Sequence, residues 1–289
     1  MLKSRLIGGI VVREGRAVQS IGFQRYLPIG DPAITAEFLN RWGIDEILLM
    51  DISATTRGSG PDLDLVRAVA RRSFVPVTVA GGIRTVDDVR AVIGAGCDKI
   101  ALNTAGLADP TLIRRVADRF GVQCVVASID IAGSAREGYW VYSRNTDTTG
   151  LDPFAVATRF VVEGAGELLV TSVERDGSKR GYDTELLQRM AEKVAVPLIA
   201  MGGAGHPAHF SEVLAIPGVT AAAAANFFQF TEHSVLITKG FLKRQGIPLR
   251  DDTYADYSGC SFDTDGRLAK KLDRDLTRLI YEFYPDEVI

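Results

Sequence analysis

The chain has 289 residues, 46% of them hydrophobic and 24% charged, with a formal net charge of −3. This composition excludes a disordered polymer, and the acidic balance argues against nucleic-acid binding, which needs a basic face. No apolar run approaches the roughly 18 residues of a membrane helix and no secretory leader pattern opens the chain, so a cytoplasmic protein is expected, with no membrane and no nucleic acid as partner.

In chain order, short β-branched runs alternate with longer amphipathic stretches. The first run, RLIGGIVV, covers 5–12, and further strand candidates cover 45–51, 75–80, 98–102, 123–131, 167–173, 196–201 and 219–225. Helical patterns fall between them at 32–42, 62–70, 86–95 and 111–120; in the last, Leu112, Val116 and Phe120 recur at helical spacing. Eight strands, each followed by a helix, predict an α/β fold of the (β/α)8 TIM barrel type over residues 1–245. A doubly wound open sheet is the alternative.

Two long matches show an internal repeat. IDEILLMDIS at 44–53 aligns with AGELLVTSVE at 165–174, and FVPVTVAGGI at 74–83 aligns with AVPLIAMGGA at 195–204, both at an offset of 121 residues. A shared offset predicts two half-barrels of four units each. Residues 246–289 stand outside the repeat as a C-terminal extension. They open with a turn-rich stretch at 250–259 and continue into an expected helix with an apolar stripe of Leu268, Leu272, Leu276, Leu279, Ile280 and Phe283. Packing against the barrel and docking of a partner or second subunit both fit that stripe.

The chemistry concentrates at strand ends. Gly81-Gly82 and Gly202-Gly203 follow the third and seventh strands, where a missing Cβ lets backbone N–H groups approach a phosphate. Asn103-Thr104 and Ala225-Asn226 follow the fourth and eighth strands, and Asp176-Gly177 adds a turn near the second pair. Two repeat-related pockets imply a ligand with a phosphate at each end, lying across the barrel mouth. Asp130 closes the fifth strand on the face where barrel enzymes gather catalytic groups. Asp51, closing the second strand, is a weaker candidate of the same kind. At position 11, by contrast, the first strand carries valine.

The opposite strand ends hold Arg5, Glu46, Lys99 and Glu167. Isolated charges inside a barrel are costly. Either these four converge into a mutually neutralised ring on the barrel floor, or they face solvent as scattered ion pairs; the sequence leaves both open. Cys97, Cys124 and Cys260 have no CxxC spacing and read as reduced core residues. His206, His209 and His233 lack metal-ligand spacing, so no metal is expected, and nothing calls for a cofactor. Trp42, Trp140 and Phe227-Phe228 read as packing.

Several stretches are distinctive together: GDP at 30–32, DKIALNTA at 98–105, ASID ending at Asp130, TSVERDGSKRGYD at 171–183, MGGAG at 201–205, and FFQF. Through them the first 245 or so residues resemble the cyclase subunit (HisF) of imidazole glycerol phosphate synthase along nearly their whole length. In that family a glutaminase docks on the barrel floor and its ammonia passes through the barrel to a phosphate-bearing substrate. The resemblance implies that Arg5, Glu46, Lys99 and Glu167 form the ammonia gate and that Asp98 belongs to the docking face. It assigns Gly82, Asn103, Thr104, Gly177, Gly203 and Asn226 to the phosphate pockets, where the family usually has serine at Asn226. Asp130 corresponds to one of two catalytic aspartates.

The departures are as informative. The second catalytic aspartate falls on Val11, and a functionally important lysine of the first βα loop falls on Gln19. Loss of a positioned acid or base costs about 10²–10⁴ in rate, so ring closure is expected to be crippled beside a retained conduit. This combination resembles the cyclase-like paralogues of acetamidino sugar modification, in which ammonia serves a separate sugar amidotransferase of surface polysaccharide synthesis. The expectation is therefore ammonia delivery for sugar modification. The alternatives are the cyclase subunit of histidine biosynthesis, or a non-catalytic scaffold that binds a phosphorylated ligand.

Overall fold

The computed structural model describes residues 3–143, 150–230 and 233–250, together with 253, 255–257, 260–264, 268–269 and 272–278. An eleven-stranded sheet runs β1 (Arg5–Arg13), β2 (Arg16–Ile21), β3 (Arg25–Gly30), β4 (Glu46–Asp51), β5 (Val77–Ala80), β6 (Lys99–Leu102), β7 (Val125–Ser134), β8 (Gly138–Val141), β9 (Glu167–Ser172), β10 (Leu198–Met201) and β11 (Val219–Ala224). Eight of these are parallel neighbours in the order β1, β4, β5, β6, β7, β9, β10, β11. β11 pairs back onto β1 from Arg5 opposite Ala221 to Gly8 opposite Ala224, which closes the barrel and excludes the open sheet. All eight expected strands are present. β2 and β3 were not anticipated; they form an antiparallel hairpin on the C-terminal half of β1, and β8 pairs antiparallel with the end of β7.

Among the described residues up to 245, ten helices follow in chain order: α1 (Pro32–Arg41), α2 (Ala54–Arg57), α3 (Leu63–Arg72), α4 (Val86–Gly94), α5 (Thr104–Ala108), α6 (Thr111–Phe120), α7 (Pro153–Val162), α8 (Thr184–Ala191), α9 (Pro207–Leu214) and α10 (Ser234–Arg244). Local chemistry starts several of them. The Asp31 carboxylate accepts the N–H groups of Ala33 and Ile34 ahead of α1, with Pro32 at the first helical position. Thr85 and Asp88 form a reciprocal capping box at α4. Asp152 and Asp183 cap α7 and α8. Among the described residues no helix is long and apolar enough to cross a membrane.

Strand alternation sorts the apolar residues into two cores. Leu6, Ile10 and Val12 of β1 face the helices and join the large outer core with Leu39, Val89 and Phe210. Ile7 faces the axis, where it meets Leu48, Ala101, Val126, Leu169, Ile199 and Met201, together with Ala221 and Ala223.

The repeat is carried into the backbone. A Cβ at Gly81 would collide with the Asp51 carbonyl, and one at Gly202 with the Ser172 carbonyl, which lies 121 residues further along. Gly82 abuts Gly60, and Gly203 abuts Gly181 at the same offset. All four glycines have positive φ, from 73° to 111°. Close backbone approach therefore requires glycine here whether or not a ligand is bound.

Two described residues beyond 245, Leu249 and Tyr257, contact the barrel. Leu249 is buried and bridges Ser4, and the Tyr257 hydroxyl lies 2.9 Å from His233 Nδ1. His233 in turn neighbours Trp42, whose ring lies beside Phe38. Within the expected amphipathic stretch, Leu268 sits in an antiparallel bridge with Phe262, Leu272 is exposed, and Asp273–Leu276 (α11) is helical. Leu279, Ile280 and Phe283 lie outside the described residues.

Candidate functional site

At the floor, the N-terminal ends of β1, β4, β6 and β9 bring the four expected charges together. Arg5 Nη1 donates to Glu46 Oε2 at 2.9 Å and to Glu167 Oε1 at 3.0 Å. Lys99 Nζ donates to Glu46 Oε1 at 2.6 Å and to Glu167 Oε1 at 3.3 Å. Each cation thus bridges both anions, and the side chains are only 4–17% exposed. Of the two arrangements the sequence left open, the ring is the one found. Glu46 and Glu167 are repeat mates; the mate of Lys99 is Thr220, whose hydroxyl accepts from Arg5 Nη2 at 3.2 Å. Two positive and two negative charges cancel locally, which is what makes their shared burial tolerable. Asp98 stands at the exposed rim beside Lys99, and its Oδ2 accepts the Val77 N–H at 2.8 Å.

At the mouth the strands present the other residues. Asp130 on β7 accepts from Asn103 Nδ2 at 2.9 Å and from the Thr171 hydroxyl. Burial outweighs these bonds and pushes its carboxyl up to about 7, with the neighbouring Asp176 charge adding to the rise. A carboxyl raised this far can gain or lose a proton near neutral pH. Val11 shares the alternation of Arg5 and Ile7 along β1, is only 6% exposed and pairs with Val18 and Met50. A valine side chain cannot carry a proton. Asp51 works as a turn: Oδ1 accepts from Ser53 N and Oγ and from Ala54 N, and Oδ2 faces Arg57.

The two places where phosphate pockets were expected differ. At the first, Asn103 turns its amide to Asp130, Thr104 follows it in the chain, and Gly82 packs against Gly60. In the second, Gly177, Gly203 and Asn226 share one depression with Asp176, Lys179, Ala225 and Phe227. The Asn226 side chain at the edge of that depression is bonded to the backbone of Ser20. Its Nδ2 donates to Ser20 O at 2.6 Å and its Oδ1 accepts from Ser20 N at 3.1 Å, clasping β2. Asp176, its carboxyl raised by burial, accepts from Ser20 Oγ at 2.7 Å and from Phe23 N at 3.2 Å. The hairpin that carries Gln19 is thus tied to the wall of the second pocket, and a Cβ on Gly177 would come within 2.7 Å of Ser20 O. Ser20, Asn226 and Asp176 act together here, a link that spacing alone could not reveal.

A closed (β/α)8 barrel with a balanced ion ring at one end, and glycine turns near a buried carboxyl at the other, defines a barrel protein with a polar site at each end of its axis. The family described as histidine biosynthesis protein matches residues 5–234. The chain is 40% identical over 251 residues to imidazole glycerol phosphate synthase subunit HisF of Streptococcus mutans serotype c, covering 86% of this chain and 100% of that protein. It is 41% identical over 254 residues to the subunit of the same name from Clostridium botulinum strain Langeland, again 86% and 100%. With that from Limosilactobacillus fermentum the identity is 41% over 252 residues, 86% and 97%. The chain belongs to the histidine biosynthesis protein family. The remainder of the chain, outside these alignments, has no counterpart in the first two relatives, which are matched from end to end.

Proposed function

We propose that this chain is the barrel subunit of a glutamine-dependent synthase of the imidazole glycerol phosphate synthase type. It takes ammonia from a glutaminase docked on the floor and delivers it to a phosphorylated acceptor at the mouth. The observation that carries this reading is the four-membered ion ring lying directly beneath an apolar axis. Neutral ammonia can cross a lining of Ile7, Leu48, Leu169, Ala221 and Ala223, whereas ammonium would have to shed its hydration. Movement of Lys99 away from one glutamate would open the ring. At the mouth, amides of the glycine turns hold the acceptor's phosphates, and Asp130 exchanges protons with the reacting centre.

The relatives' names make the acceptor of histidine biosynthesis, a phosphorylated ribulosyl carboxamide, the leading candidate. Asp130 then carries both proton transfers alone. The test is turnover of that compound with ammonium salts, slow in the unmodified protein and lost in Asp130→Asn. Absence of any turnover would sink this acceptor.

Val11 and Gln19 favour a second reading, in which the nitrogen goes to a sugar through a separate amidotransferase. The relatives' names lend it no support, so it rests on those two residues. Complementation of a histidine auxotroph lacking the cyclase separates the two. Robust growth removes the sugar reading, and failed growth with intact glutaminase coupling favours it.

A further inference from the structure

Among the described residues, one ion pair outside the ring is buried on both sides. Lys239, within α10 and only 6% exposed, places Nζ 2.5 Å from Oδ1 of Asp45, itself 3% exposed. An ion pair withdrawn from water adds little stability over apolar residues of the same shape, so its value must lie in geometry. The other Asp45 oxygen accepts the Leu6 N–H at 2.8 Å, and the Asp45 N–H donates to Leu6 O at 3.1 Å. Leu6 directly follows Arg5, and Asp45 directly precedes Glu46. On the other side of Arg5, the Ser4 N–H donates to Pro248 O at 2.8 Å, and Ser4 bridges Leu249. Both neighbours of the ring arginine are therefore held by contacts that depend on α10 or the chain that follows it. Asp98 repeats the device more weakly: it precedes Lys99 and grips Val77 through its carboxylate and its own N–H, but it is exposed.

We propose that the Asp45–Lys239 pair is a positioning device that sets the backbones of Arg5 and Glu46 at the spacing the ion ring requires. The geometric claim stands by itself; its consequence for nitrogen passage rests on the proposed function.

The test uses the full chain in two double variants. Asp45→Leu/Lys239→Met removes the pair and the acceptor for Leu6 N–H. Asp45→Asn/Lys239→Gln removes the charges but keeps an acceptor. Acetylation of the Lys99 amine by acetic anhydride is followed by mass spectrometry against the exposed Lys193, with urea unfolding in parallel. In the apolar variant Lys99 should react roughly five- to tenfold faster, the size of one lost net hydrogen bond, while Lys193 is unchanged. In the polar variant most of the protection should return. Unchanged Lys99 labelling in the folded apolar variant, or equal acceleration in both, overturns the proposal. If the apolar variant does not fold, Asp45→Ala/Lys239→Met deletes the same contacts and is read the same way. Glutamine-to-product coupling is measured separately: a loosened ring with full coupling upholds the positioning role and counts against the nitrogen path.

Discussion

The floor and the mouth of this barrel treat charge in opposite ways. At the floor, each of two cations bonds both of two anions, so no member can be lost without weakening the pairing of a buried partner. At the mouth, Asp130 stands without the second carboxylate expected at position 11, and losing that group relieves like-charge repulsion. A site built on neutralisation is thus held together by stability itself. A site built on a strained pair of acids is free to lose one.

The largest expected effect lies at the mouth. Val11→Asp should raise turnover of the phosphorylated ribulosyl carboxamide with ammonium by about 10²–10⁴-fold, the usual contribution of one positioned acid or base. No gain in steady-state rate would mean that ring closure is not the chemistry of this mouth. The floor should answer in stability. Glu46→Leu leaves Arg5 and Lys99 sharing a single anion and should cost about 3 kcal/mol in urea unfolding; a loss within error would mean the ring is not coupled.

Asp130 sharpens the contrast through pH. Its folded pKa of about 7 lies above the ordinary 3.8, so the fold penalises the ionised form. That penalty is absent below about pH 4, grows as pH rises and is complete above about 7. Asp130→Asn should therefore leave Tm nearly unchanged at pH 4 and raise it by roughly 7 °C at pH 8. An equal shift at both pH values would contradict the assigned titration. The smallest effect belongs to the clasp: Asn226→Ser should weaken the hairpin by about 1 kcal/mol. Faster amide exchange confined to residues 16–30 would be the sign, and uniform exchange would refute a local role.

Much of this was legible in residue order because it depends on periodicity. The eight strands, the 121-residue repeat and the strand-end positions of Arg5, Glu46, Lys99 and Glu167 follow from alternating runs and a shared offset. Whether those four side chains meet depends on barrel closure, a long-range fact no local pattern encodes. The β2–β3 hairpin escaped notice because β3 is mostly exposed and Pro28 argues against a strand; the proline is tolerated on β3, which lies at the end of the sheet order. The Asn226–Ser20 clasp joins residues 206 apart and carries no sequence signal. The glycine pairs were read as phosphate turns, yet the carbonyls of Asp51 and Ser172 give them a packing reason that is independent of any ligand.

The most direct test of the account is isotopic. With a glutaminase bound to the floor, [¹⁵N-amide]glutamine is supplied alongside excess unlabelled ammonium and the phosphorylated ribulosyl carboxamide. Nitrogen carried through the barrel predicts product enriched in ¹⁵N well above the bulk ammonia pool, with the excess lost in Lys99→Leu. Product matching the bulk pool in the unmodified protein would contradict a path from floor to mouth.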